Sequence, residues 1–222
     1  MPELYLKKCK CTYCLKETET KRVLSRHIRV ERTDFDGFVH YQGSNPYLYE
    51  PIQCSHCRFV FHESFEKLRT DVRQTLEEQI LPTLPVLPFA ATERTIEQAL
   101  QLYKLALYTA QVTGQKEAIL AMLGVRIAWM YRMLGDEAQE LQWMERSVTK
   151  YEALYLNYTD AVRTGIPHDV LLLRISDLYA VLKRTDDAKQ WYGLIFQSKT
   201  VSDRTKKEAR EHWELYRETH NV

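Results

Sequence analysis

What the chain has little of narrows it first. No apolar run reaches the roughly 20 residues of a bilayer span; the longest, Ala118 to Tyr131, is interrupted by Arg126. Charge of one sign is not in surplus either, with 31 lysines and arginines against 30 acids in 222 residues. No global field therefore draws the chain to nucleic acid or to an anionic membrane. The 7 glycines are scattered rather than grouped into a phosphate-cradling loop, and His-Glu-x2-His and nucleophile-elbow patterns are missing. These absences point away from an enzyme. The first 30 residues lack a secretory signal, because Leu4, Tyr5 and Leu6 run straight into Lys7 and Lys8. The expectation is a cytoplasmic chain with no membrane partner.

Cysteine is sparse too, 5 in all, yet four of them form two Cys-x2-Cys pairs, Cys11/Cys14 and Cys54/Cys57. In a reducing compartment paired thiols serve metal ligation better than disulfide bonding. Four thiolates suit a soft tetrahedral ion and leave no position for water, so the predicted cofactor is a structural Zn2+ held by Cys11, Cys14, Cys54 and Cys57. A thioredoxin-like redox role for Cys11-Thr12-Tyr13-Cys14 would need a strand before and a helix after it, and the second pair argues against that. Cys9 offers a substitute ligand. Cys11 is favoured, because a two-residue loop lets amide hydrogens turn back toward the first sulfur. His56 and His62 lie close enough in sequence to compete and read as surface or boundary residues. Leu15 and Arg58 follow the two pairs, where the chain tends to turn left-handed and glycine is the comfortable residue.

Along the chain the periodicity changes. Residues 1–60 show short alternating runs: Leu24, Ile28 and Val30 share one parity, and Tyr47, Leu48 and Tyr49 read as a second strand. From Phe61 the apolar residues Phe65, Leu68, Val72, Leu76 and Ile80 form a helical stripe that ends at Pro82. Pro82, Pro85 and Pro88 then recur every third residue, an extended spacer by their fixed φ and missing N–H, with a docking peptide for a proline-binding module as the alternative. The domains expected are thus 1–60, a helix and Pro-rich linker over 61–91, and an all-α unit over 92–222. Within the last, Ile127, Ala128, Tyr131 and Gly135 with Met144 and Ser147 are spaced like a tetratricopeptide unit. Ile175, Ser176, Tyr179, Ala188, Tyr192 and Ile195 repeat the spacing, and Ala99, Tyr103 and Ala106 match the second helix of a first copy. Ala209, Trp213 and Tyr216 give a capping helix.

The paired cysteines, the Asp34 to Tyr41 stretch with Gly43-Ser44-Asn45-Pro46-Tyr47-Leu48-Tyr49, and the helix from Thr95 to Ala106 together resemble the bacterial family known as domain of unknown function 2225. The resemblance covers nearly the whole chain. It implies a mostly α fold with a small β-rich, zinc-ribbon-like N-terminal domain, a tetratricopeptide-like C-terminal array and no established activity. Family members commonly carry Cys-Pro-x-Cys and Cys-x2-Cys-Gly; this chain has Thr12 and Arg58 at those places.

The function that asks least of these residues is a non-catalytic protein–protein interaction adaptor. In a tetratricopeptide register Val125, Trp129, Arg132, Met133, Asp177 and Val181 line the groove for a protein or peptide partner, although Trp129 and Met133 suit the core equally well. The alternative is nucleic-acid binding by the front, where lysines and arginines outnumber acids over residues 1–33 and Tyr5, Tyr13, Phe35 and Tyr41 are interleaved with them. A solvated strand face explains the same charge. Asp34, Asp36, His40 and His62 are the residues from which a second, open metal site would have to be built. A homo-oligomer is a further expectation, since short arrays often cover an exposed end with a second copy.

Overall fold

The computed structural model describes residues 3–157 and 165–220, with nothing said of the side chain of His220. It is mostly helical, with three small antiparallel strand pairs gathered in the N-terminal third. β1 (Leu4–Lys10) pairs with β2 (Glu17–Val23), β3 (Arg29–Thr33) with β4 (Val39–Gln42), and β5 (Ile52–Gln53) with β6 (Val60–Phe61). Lys10 faces Glu17 and Gln53 faces Val60, so the first and third hairpins close through turns of equal length, 11–16 and 54–59. Each turn holds one Cys-x2-Cys pair.

Two strand expectations give way to tighter local structure. Residues 24–31 are not one half-buried strand: Ser25–His27 form a 3-10 turn, and β3 follows with all five residues exposed, because no second layer covers it. Tyr47-Leu48-Tyr49 is likewise a 3-10 turn. Asn45 accepts a hydrogen bond from the Tyr47 amide (2.9 Å), and Pro46, with φ already fixed, starts the helical turn. The stripe from Phe65 to Ile80 buries Phe65, Leu68 and Leu76, yet regular α-helix is confined to α1 (Thr70–Thr75), which widens into a π turn over Leu76–Ile80. The proline-spaced segment is packed down as well. Gln53 donates to the Pro85 carbonyl (2.8 Å) and accepts from the Leu87 amide (2.9 Å), while Leu84 and Leu87 are buried.

Beyond it, among the described residues, six long helices follow: α2 (Ile96–Val112), α3 (Glu117–Leu134), α4 (Glu137–Asn157), α5 (His168–Val181), α6 (Thr185–Gln197) and α7 (Asp203–His220). A Thr95/Gln98 capping box starts α2. Gly135, at φ 74°, ends α3, and its amide and that of Asp136 bond back to Arg132 and Tyr131. Lys183, at φ 57°, repeats the same pair of bonds at the end of α5. Both turns fold the next helix back, giving the hairpins α3/α4 and α5/α6. The apolar stretch through α3 is explained by position, since α3 packs between α2 and α4; no described helix is long and apolar enough to cross a membrane. Ala99, Tyr103, Ala106, Ile127, Ala128, Met144, Ser147, Ile175, Ser176, Ala188 and Ile195 are all within 1% of complete burial, so the periodic small and bulky residues do form the interhelical seams.

Candidate metal centre and its anchorage

The two cysteine turns are built alike. The Cys11 amide bonds to the Lys16 carbonyl (3.0 Å) and the Leu15 amide to the Cys11 carbonyl (3.1 Å); Cys54 and Phe59 (2.9 Å), then Arg58 and Cys54 (3.0 Å), repeat the pattern. Leu15 (φ 63°) and Arg58 (φ 65°) both adopt the left-handed conformation. The His56 amide points back to Cys54 Sγ at 3.4 Å, the bond that a two-residue loop makes available to a thiolate. Thr18, buried on β2, clamps one turn to the other: its hydroxyl accepts from the Ser55 amide (3.0 Å) and donates to Ser55 Oγ (3.2 Å).

This pairing brings the sulfurs of Cys11, Cys14, Cys54 and Cys57 within 4.8 Å of one another. Cys11 and Cys57 approach to 3.7 Å, Cys14 and Cys54 to 3.6 Å. Zn–S bonds of about 2.3 Å place the sulfurs of a tetrahedron about 3.8 Å apart, so the donor set fits a four-coordinate metal ion. Hydrogen bonding from Cys11 draws Cys54 below the ordinary thiol range, and the same sharing pushes Cys11 up; were all four sulfurs thiolates, a cation between them would be needed to balance their charge. Among the described residues this is the only such cluster. Cys9 lies outside it, directed at the Thr18 carbonyl (3.4 Å). His56 turns to the Glu17 carbonyl (2.9 Å) and His62 to Ser64 (2.7 Å).

The acids and histidines considered for a second metal site are otherwise engaged. Asp34 meets His40 Nε2 (2.8 Å) and Arg132, and the Asp36 carboxylate, almost wholly buried, accepts from Arg132 (2.8 Å) and from the Trp129 indole (3.0 Å). The β3–β4 turn thereby seats its acids on the helical face. Val125, Trp129 and Asp177 line a cavity of about 340 Å³ beneath that turn, Arg132 and Val181 a neighbouring one, and Met133 accepts a bond from Asn45 (3.2 Å). The structure thus gathers the six groove positions around the chain's own hairpin.

Two residues that periodicity gave no reason to select hold the front on the helices. Glu50 accepts from Tyr103 (2.7 Å) and Arg126 (2.7 Å); burial alone would raise its carboxyl, but His62 and Arg126 bring it down to about 2. Arg94, buried and paired with no carboxylate among the described residues, donates to the carbonyls of Leu48 (3.0 Å), Pro51 (2.8 Å) and Ala90 and to the Thr20 hydroxyl, and its burial lowers it to about 10. A charged residue just before a helix cap was the one available signal.

With this geometry in view, residues 4–216 match the family model described as "Uncharacterized protein conserved in bacteria (DUF2225)". The chain belongs to that family. No curated protein and no solved structure matches it. In this DUF2225 member the four cysteines form one cluster of sulfurs, and its two turns belong to a front fixed to the helices through Glu50 and Arg94.

Proposed function

We propose that the protein is a non-catalytic protein-binding adaptor in which a zinc-ribbon-like front, held by a structural Zn2+, stiffens a tetratricopeptide-like array. The observation that carries the reading is the four-sulfur cluster built from two like turns, because it fills a tetrahedral coordination sphere and leaves no place for substrate. Support for the array comes from the repeated α3/α4 and α5/α6 hairpins with their buried small residues. Purified protein is expected to contain about one zinc per chain by elemental analysis, lost in Cys54→Ser. Proximity labelling in the native cell should then recover the same partners with wild type but not with the metal-free variant. A chain without stoichiometric metal, or a partner set unchanged by its loss, overturns the reading.

The nucleic-acid alternative draws on β3, whose five residues, Arg29 and Arg32 among them, are all exposed. Salt-dependent retention of a generic oligonucleotide by wild type, weakened in Arg29→Glu, would favour it.

A further inference from the structure

A cavity of about 820 Å³ lies away from the β3–β4 turn, between α2 and α4 with α3 as its floor. On α2 its wall is Lys104, Leu107, Tyr108 and Gln111; on α4 it is six residues between Trp143 and Lys150, Glu145 and Arg146 among them. The α2 set runs i, i+3, i+4, i+7, so that wall is one helical face about 10 Å long. The floor is flat for a stated reason: a Cβ on Gly124 would collide with Ser147 Oγ, and the bare glycine lets α3 and α4 close up beneath the groove. Leu107 and Leu120 are buried at the bottom, whereas Tyr108 stands 39% exposed on one wall with half-buried Trp143 opposite.

The rim is basic. Lys104 donates to the Tyr131 hydroxyl (2.7 Å) and Arg146 lies over the Trp143 ring (4.8 Å); among the described residues neither pairs with a carboxylate. Lys150 pairs with Glu117 and Glu145 with Arg184, which leaves a cationic surplus above an apolar trough. We propose that this groove docks an acidic amphipathic helix of a partner protein, its apolar anchors entering between Tyr108 and Trp143 and its flanking carboxylates meeting Lys104 and Arg146. Two helical ridges receive a third helix by ridge-and-groove packing, and among the described residues no strand edge lines the groove to add an extended peptide. A second copy fits less well, since the exposed helix α7 carries 5 acids and 5 lysines or arginines in Asp203–His220 and has no acidic excess.

The inference names the partner class of the adaptor reading and rests on it. The probe is a helix-stapled, dye-labelled peptide with leucines at i, i+4 and i+7 and glutamates elsewhere, titrated against the full-length, metal-loaded protein by fluorescence anisotropy. Saturable, salt-sensitive binding is expected, weakened at least about tenfold by Lys104→Glu with Arg146→Glu, and absent for the peptide with lysine in place of glutamate. Tyr108→Ala, at an exposed position, should weaken it without altering the circular dichroism. Equal binding of both peptides, no binding, or undiminished binding by the charge-reversed variant overturns the proposal. So does displacement of the peptide by a single-stranded oligonucleotide, or a dimer in sedimentation that the same variant dissolves. A protein that carries its metal and labels its partners yet ignores the peptide fails this test alone.

Discussion

Leu15 and Arg58 occupy a conformation that costs an L-residue roughly 1–2 kcal/mol, and they do so because each is the residue after a Cys-x2-Cys turn. Neither side chain redeems that cost through burial, since both are exposed. Their left-handed φ was legible from the sequence, where Cys-x2-Cys fixes the turn, even though the residues themselves disfavour it. Leu15→Gly and Arg58→Gly are therefore expected to stabilise the metal-loaded protein by about 0.5–1 kcal/mol each, less than the full strain because glycine also loosens the unfolded chain. Chemical denaturation at fixed zinc would measure the gain. An equal loss in both variants would show that the side chains hold the turns in some other way.

At the scale of elements, helices with buried seams were readable and short strands were not. The alternation in Leu24, Ile28 and Val30 mimics a half-buried strand, but β3 is exposed along its whole length and Val30 is 58% exposed, so parity carries no burial information there. Helix α7 was readable as an amphipathic cap, yet its polar tie was hidden. Asp177 on α5 accepts from Tyr192 on α6 (2.6 Å) and meets His212 Nδ1 on α7 (2.9 Å). Burial lifts the Asp177 carboxyl to about 6. Burial would lower His212, but its bond to Asp177 outweighs this and raises it. Both folded values lie above the unfolded ones, so the stability these groups lend is complete below the unfolded pKa and fades as pH rises through the folded one. The window runs upward from about pH 4 for the carboxyl and from about 6.5 for the imidazole. Helix α7 should thus open more readily at pH 8 than at pH 5 in hydrogen exchange corrected for intrinsic rates, with His212→Gln flattening the upper part of the change. Protection of α7 that is constant across this range would refute the assignment.

For the molecule as a whole, composition suggests a front unit, a proline-spaced connector and a helical unit. The buried residues form one cluster that runs from Cys11 through Phe59, Tyr103 and Trp129 to Tyr216. What joins the parts was illegible because it depends on single polar side chains, Glu50, Asp36 and Arg94, which have no period and no motif. That architecture decides how metal loss should spread. Structural zinc sites contribute roughly 10–16 kcal/mol of apparent binding free energy, more than a small front can replace from its own core. Once the turns at 11–16 and 54–59 let go, Glu50 and Asp36 lose their rigid mounting, Arg126 and the Trp129 indole lose their acceptors, and Arg132 keeps only Glu140 on α4 (2.7 Å). Chelation should therefore strip amide protection from β1 to β6 and also from α2 and the Trp129 end of α3, while α5 and α6, tied through Asp177 and Tyr192, keep theirs. Hydrogen exchange with mass spectrometry on holo and chelated protein resolves these segments. If only residues before the proline-spaced segment lose protection, the front is an independent body and the polar anchors at Glu50, Asp36 and Arg94 hold nothing in place.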